Sequence, residues 1–391
     1  MSSLKDLFLL DPEITFLNFG SFGACPKPVF QKYQEWQLEL EREPVQFIVN
    51  KAITELDRVR IELGTFIGCN YKDLVMVTNP SYAINTIAKS FPYQKGDEIL
   101  TTNLEYGACD RTWEYYCKKY GAKYIRQEIT LPIISKEVFI AEFWKGYTKH
   151  TKAIFLSQIT SATGLILPVK EICEEAKSRG LITIIDGAHV PGHIPLNLSK
   201  LYADVYTGAC HKWLMGPKGS SFLYVNSEHQ NWVDPLVISW GYQSDYPSDS
   251  EFIDWHQTTG TRDYAAFLTI PECILFRNEN NWKEVSSTCR LVAQENGLKF
   301  CELVNSQPLA PINDDFYGQM FSIPINTTNP VLLQKELFDR YRIEIPVAVQ
   351  NGNSYLRYSI QAFNSIEDLD KLYSALIEIM KQGQLLFSSG K

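Results

Sequence analysis

Two side chains set the problem. Asp186 ends the apolar run Ile184-Ile185 and is followed by Gly187-Ala188-His189. Lys212 follows a second short apolar run, in Ala209-Cys210-His211-Lys212-Trp213-Leu214-Met215, with Gly216-Pro217 ahead of a further strand. Taken alone, each has an ordinary explanation. The lysine reads as a surface residue in a loop, and the aspartate as a turn or cap residue. Taken together they are more specific. A carboxylate at the carboxyl end of a buried strand can pair with a buried cation. A lysine amine after the next strand can bond covalently to a carbonyl.

That pairing is what pyridoxal phosphate (PLP) chemistry requires. The lysine holds the cofactor as a Schiff base, and the carboxylate keeps the pyridine nitrogen protonated so that the ring accepts electrons. No GxGxxG follows a predicted strand, which removes the signature of a nicotinamide-dependent dehydrogenase.

The elements that must position these residues alternate. DLVMVTNPS (73–81) predicts a buried strand, a turn and then the helix SYAINTIAKSF. GDEILTTNLEYG (96–107) repeats the pattern, and AKYIRQEIT, KAIFLSQITSATG and LITIIDGAHVPG continue it. PVKEICEEAKSRG predicts a helix with Pro at its start and Gly at its end. Strands alternating with helices indicate an α/β layer with a mostly parallel sheet, whose ligands bind where the strands end. Residues 38–68 predict a helical stretch that stops at Gly64–Gly68. After about residue 260, one long helical stretch (264–304) and shorter strands such as YGQMFSIPI and SYLRYSI predict a smaller α+β unit.

Nine motifs in this order resemble the fold-type-I PLP enzymes of aminotransferase class V. They are LNFGSFGACPKPV (17–29), LEREPVQF (40–47), VTNPSYAIN (77–85), EYGACDRTW (105–113), TSATGLILPV (160–169), DGAHVPG (186–192), CHKWLMGPKG (210–219), TGTRD (259–263) and LRYSIQAFN (356–364). Within that family the chain is similar to the isopenicillin N epimerase-like branch, which also holds C–S lyases such as hercynylcysteine sulfoxide lyase. The resemblance implies a large, mostly parallel α/β/α domain over 16–260. A smaller α+β domain would comprise 261–391 together with 1–15.

Carried over residue by residue, the resemblance implies Lys212 as the Schiff-base lysine, Asp186 at the pyridine nitrogen and His189 near the phenolic oxygen. Tyr106 is expected to stack on the ring. The Asn79-Pro80-Ser81-Tyr82 turn opens a helix whose N–H groups and dipole can hold the phosphate. Ser81 adds a hydroxyl there, Pro80 has no N–H to offer, and His211 can reach the same group. Gly260-Thr261 resembles the segment that reaches the neighbouring subunit's phosphate in dimeric relatives, which implies a homodimer with shared sites. Arg357 matches the arginine that grips the substrate α-carboxylate through a two-pronged hydrogen bond. Arg262 is expected to orient substrate or hold the domain junction. The loop Asn18–Gly23 should line the substrate cleft. Relatives often carry a histidine where Phe19 stands.

Composition limits the partners. The chain has 391 residues, 45% hydrophobic and 21% charged, with net charge −8. That balance suits a globular protein and not a disordered one. It lacks the basic face a nucleic-acid binder needs. The apolar patch Leu7–Leu10 is cut off by Asp11. No apolar run approaches the roughly 20 residues of a membrane span, so a cytoplasmic location is expected. The nine cysteines include no CxxC pair, which argues for reduced thiols, mostly small buried hydrophobes, and against a disulfide scaffold or a metal site.

The expected reaction is abstraction of the α-proton of an amino acid by the Lys212 amine. Reprotonation on the opposite face gives epimerisation, loss of a β-sulfur substituent gives C–S lysis, and protonation on the cofactor gives transamination. A non-catalytic regulator would not need Lys212, Asp186 and Arg357 together. Cysteine desulfurases of the superfamily use a cysteine on a loop shortly before the carboxylate-binding arginine. No cysteine follows Cys301 here.

Overall fold

The computed structural model describes residues 4–388. The outermost residues of the expected small domain, 1–3 and 389–391, lie outside the described residues. Seven strands form the larger sheet: β1 (Leu74–Val77), β2 (Glu98–Thr102), β3 (Lys123–Gln127), β4 (Thr151–Ser157), β5 (Ile182–Asp186), β6 (Val205–Ala209) and β7 (Ser221–Val225). Their order is β1-β7-β6-β5-β4-β2-β3. Only β7 is antiparallel to its neighbours. Six strands therefore end on one edge, where the chain turns that follow them converge.

The strands read as continuous apolar runs because both faces are covered. Alternate residues feed different cores. Val75, Ile99, Phe155 and Ile184 pack with Ala83, Ile87 and Trp113 of the helices Pro80–Ser90 and Gly107–Tyr120. Met76, Leu100, Leu156 and Ile185 pack on the other side with Leu56 and Val59 of Ala52–Ile67 and with Ile172 and Ala176 of Val169–Ser178. The edge strand β3 is only partly buried and carries Lys123 and Arg126, charges that discourage further strand pairing.

A smaller antiparallel sheet contains β8 (Met320–Thr327), β9 (Val347–Gln350), β10 (Asn353–Ser359) and β11 (Leu386–Phe387), in the order β9-β10-β8-β11. The helices Trp282–Leu303 and Ile366–Gln382 cover it. The Phe300 ring packs 5.6 Å from Tyr358 and 5.7 Å from Tyr373. An N-terminal segment joins the two sheets. Thr15–Phe16 pairs in parallel with Ile343–Glu344, and the Leu17 carbonyl accepts the Ser359 N–H at 2.8 Å.

Two helical expectations are corrected. Residues 264–304 are three helices, Ala265–Leu268, Ile270–Glu279 and Trp282–Leu303. Pro271 opens the second, and Asn281 breaks before the third at φ +47°. The 38–68 stretch is likewise divided. Lys27–Arg42 ends at Glu43, before Pro44, because the residue preceding a proline disfavours helical geometry. A π turn at Phe47–Lys51 then leads into Ala52–Ile67, which ends on left-handed Gly68. No described helix is long and apolar enough to cross a membrane.

Candidate active site

The Lys212 turn is built tightly. The Met215 N–H donates to the Lys212 carbonyl at 3.0 Å and the Gly216 N–H to the Cys210 carbonyl at 2.8 Å. Gly23 lies against this turn at φ +64°, so close that a Cβ there would sit 2.2 Å from the His211 carbonyl oxygen. Glycine is required on both counts. Lys212 Nζ lies 3.2 Å from His189 Nε2. The indole Nε1–H of Trp213 donates to His189 Nδ1 at 3.4 Å.

That indole bond fixes the imidazole. With Nδ1 accepting, a neutral His189 carries its proton on Nε2 and presents it to the lone pair of an uncharged lysine amine. The charges agree. Burial and then the positive Lys212 hold His189 well below the usual histidine range. Burial and then the Arg357 charge bring Lys212 down to about 8.

Asp186 is the last residue of β5 and is 2% exposed. Its Oδ1 accepts the Ala188 N–H at 2.9 Å, and the Cys109 thiol donates to Oδ2 at 3.5 Å. Among the described residues no cationic side chain lies within ion-pair distance of it, and burial raises its pKa. A buried carboxylate in this state favours a cation beside it.

Both groups face a cavity of about 300 Å³, closed at its far end by the start of helix Pro80–Ser90. Asn79 Oδ1 takes the Tyr82 N–H at 2.8 Å. This leaves the Ser81 N–H and hydroxyl and the Asn79 Nδ2 group as the donors at that end. His211 also lines the cavity. Its Nδ1 lies 3.0 Å from the Ser220 carbonyl, so Nδ1 bears the proton, and burial lowers its pKa to about 4. Tyr106, at the N-cap of Gly107–Tyr120, lines the mouth with its ring 46% exposed.

These residues fit PLP. A buried carboxylate lacking a cation suits a pyridinium, a poised amine suits an aldehyde, and hydroxyl and N–H donors at a helix start suit a phosphate.

Arg357 comes from the other sheet, in the centre of β10, and is 4% exposed. It lies behind two residues of the cavity wall. Nη2 donates to Ser21 Oγ at 3.1 Å, and Nη1 donates to the Ser161 carbonyl. Nε is buried with no hydrogen-bond partner, and no carboxylate of the described residues pairs with the guanidinium. Burial lowers its pKa to about 10, which leaves it charged at neutral pH.

Four expected residues lie elsewhere within the chain. Phe19 does not line the cavity. Its wholly buried ring packs 5.1 Å from Trp213 and 5.9 Å from Phe363, and Ser21 and Phe22 take the lining positions. Tyr82 faces the helical core beneath β1. Thr261 is exposed after Gly260, and the Arg262 guanidinium sits 4.3 Å over the Phe267 ring. Residues not singled out beforehand include Cys109, Ser157, Ser161 and Trp213. Ser157 ends β4, so the strand-end rule points to it. Cys109 lies three residues after Tyr106, on the same face of the first helical turn.

The aminotransferase class V family profile matches residues 24–372. The chain is 30% identical to isopenicillin N epimerase of Streptomyces clavuligerus, over 94% of this chain and 95% of that protein. It is 24% identical to hercynylcysteine sulfoxide lyase of Schizosaccharomyces pombe, over 96% of each. Among solved structures, the apo cysteine desulfurase of Thermococcus onnurineus NA1 superposes with a TM-score of 0.82 at 20% identity, covering 98% of this chain and 99% of that one. A cystine C–S lyase in complex with cysteine persulfide gives 0.80 at 18%, covering 93% and 97%. These last two establish the fold. With the profile spanning most of its length, the chain belongs to the aminotransferase class V family of PLP-dependent enzymes.

Proposed function

We propose that the enzyme grips an amino acid by its α-carboxylate at Arg357, removes the α-proton with Lys212 and returns a proton on the opposite face, as an epimerase of the isopenicillin N epimerase type. One observation carries the reading: a buried guanidinium without an anion lies directly behind Ser21 and Ser161, which line the same cavity as the poised amine. When bound, PLP supplies the electron withdrawal that acidifies the Cα–H. Asp186 would hold the ring nitrogen, His189 the phenolic oxygen and Tyr106 the ring face. Asn79 and Ser81 would hold the phosphate end, and His211 would join them on taking a second proton at Nε2, which a phosphate anion beside it favours. His189 keeps Nε2–H toward Lys212 and so favours the uncharged amine that a base must be.

The second reading is β-elimination from an S-substituted cysteine, and one observation favours it. Epimerisation needs a second acid. Of the other ionisable lining side chains, Cys109 is bonded to Asp186 and His189 is engaged by Trp213 and Lys212. Tyr106 and His211, the latter placed with the phosphate-binding turn, remain. Elimination needs only Lys212, which can take the Cα proton and hand it to the leaving sulfur. Desulfuration by an enzyme thiol is disfavoured on both readings. The β9–β10 hairpin before Arg357 has no cysteine and is pinned by Gln350 Nε2 to the Glu105 carbonyl at 2.9 Å and by Asn351 Nδ2 to the Asn103 carbonyl at 2.7 Å.

The proposal includes a cytoplasmic homodimer, with 16–260 holding the cofactor and 261–391 with 1–15 supplying the carboxylate grip. Thr261 and Arg262 would complete the partner's site. Neither residue lines the cavity of its own chain, which supports this, as does a buried Arg262 Nε without a partner. A fully active monomer by light scattering would remove that part.

The deciding experiment incubates PLP-loaded protein in D₂O with amino acids and S-substituted cysteines, followed by NMR. Deuterium at an inverted Cα without pyruvate supports epimerisation. Pyruvate from a cysteine thioether makes the enzyme a lyase. Neither product from any substrate, with no exchange at Cα, dismisses both.

A further inference from the structure

Behind the Lys212 turn lies a second cavity, of about 450 Å³, between the helices Ile270–Glu279 and Trp282–Leu303, the 192–196 loop and Gly318-Gln319. Its lining is cationic. Arg277, in the last turn of its helix, lies between the Phe66 and Trp282 rings, 5.9 and 5.7 Å away. The one hydrogen bond described for its guanidinium runs from Nη1 to the Trp213 carbonyl at 3.2 Å. Among the described residues it has no carboxylate within ion-pair distance. Lys283 and Arg290 line the same space with Ser286 and Ser287. Arg290 faces Asp314 at 3.0 Å, and Glu284 is taken by Asn281. Two nearby carboxylates are thus set against three cations. A guanidinium flanked by rings and opening on a half-open pocket attracts an oxyanion more strongly than one in open water.

This cavity shares a wall with the catalytic one. Gly192 approaches the Trp213 carbonyl so closely that a Cβ would sit 2.5 Å from its oxygen. His193 stacks on the Trp213 ring at 3.9 Å, bonds the His189 carbonyl at 3.0 Å through Nδ1 and accepts the Gln319 N–H at 2.6 Å through Nε2. Trp213 in turn bonds His189, which faces Lys212. Any ligand that draws Arg277 from the Trp213 carbonyl, or moves the 192–193 turn, acts on the catalytic amine through one residue.

We propose that the second cavity binds a small oxyanion ligand, a carboxylate or phosphate compound, through Arg277 with Arg290 and Lys283, and that Trp213 transmits its occupancy to Lys212. The binding is independent of the reaction proposed above; the transmission rests on Lys212 being the catalytic amine.

The test titrates inorganic phosphate, and separately succinate, into the PLP-loaded enzyme by calorimetry. Loading keeps the cofactor's own phosphate site filled. Binding in the millimolar range or tighter is expected for at least one probe, and which probe binds names the anion class. Arg277→Gln should weaken it roughly tenfold; Arg357→Lys should leave the phosphate isotherm unchanged, and succinate binding that is lost there belongs to the substrate site. Saturating probe should shift the pH midpoint of the cofactor absorbance in the parent enzyme and not in Arg277→Gln. If Arg277→Gln fails to fold by circular dichroism, exposed Lys283→Glu carries the comparison. No binding of either probe overturns the proposal, as does binding that survives Arg277→Gln and Lys283→Glu but is lost in Arg357→Lys. Binding without a midpoint shift overturns the transmission.

Discussion

The two walls of the catalytic cavity handle charge differently. On the large-sheet wall, Asp186, His189 and Lys212 sit at a strand end and in the turns after the strands; Lys212 lies 3.2 Å from His189 and lowers its pKa, while the Asp186 charge raises that of Lys212. On the small-sheet side, behind the wall residues Ser21 and Ser161, Arg357 stands alone within a strand, held by a serine hydroxyl and a carbonyl, with no anion. On the proposed roles, the first wall is organised around a resident group, and the second side holds a charge whose partner arrives with the substrate. Cofactor retention should therefore depend on one wall and substrate affinity on the other.

The largest effect falls on the cofactor wall. Lys212→Ala should abolish covalent PLP attachment and turnover, seen as loss of the Schiff-base absorbance; full turnover in the variant would remove Lys212 from the mechanism. Asp186→Asn comes next. It should retain PLP but lose about 10²–10³-fold in kcat, because a buried cation loses its counter-charge, worth about 3–5 kcal/mol. An undiminished kcat would count against the role.

Arg357→Ala should act mainly on KM, raising it about 10²-fold for the loss of a charged, two-pronged contact. A fall in kcat at unchanged KM would merge the two walls. The walls also interact. The Arg357 charge helps depress Lys212, so PLP capture by the apoenzyme should rise with pH and level off above about 8. In Arg357→Gln that plateau should move upward, toward an ordinary lysine. Coincident profiles would show that burial alone tunes the amine.

Gly23→Ala tests the seam between the walls. The overlap with the His211 carbonyl and the left-handed backbone should together lower stability by about 2 kcal/mol, read as a denaturant midpoint shift at constant slope. The smallest effect is expected for Trp213→Phe. It keeps the ring but removes the N–H that orients His189, a change of roughly a few-fold in rate. A hundredfold loss would mean that the imidazole tautomer controls the base outright.

The same contrast governs what the sequence reveals. Asp186 and Lys212 are legible because a buried strand is a continuous apolar run, and the first polar residue after it marks the edge where ligands bind. The alternation of strands and helices gives the sheet class for the same reason. Arg357 is an arginine in an ordinary half-apolar strand, SYLRYSI. Nothing local separates it from a structural ion pair, and only the family resemblance singles it out. Phe19 sits beside lining residues, but a helical turn sends neighbouring side chains in different directions, so Phe19 enters the core while Ser21 and Phe22 face the cavity. Trp213 is illegible because its role is to orient another side chain across space. In the 264–304 stretch the break at Pro271 is hidden because apolar residues continue on both sides of it, whereas the polar run Arg277–Asn281 does mark the second break.

The N-terminal segment that joins the sheets has a temporal meaning. Residues 15–23 find their partners at Ile343–Glu344, at Ser359 and at the backbone of the Lys212 turn. Pairings this distant in sequence form late. A nascent chain on the ribosome can assemble the large sheet with Asp186 and Lys212 in place, yet it lacks both Arg357 and the strands that clasp residues 15–17 until synthesis has passed residue 359. On the proposed roles, cofactor capture can therefore begin before the carboxylate grip exists, and competence toward amino acids would arrive only when the small sheet closes over segment 15–23.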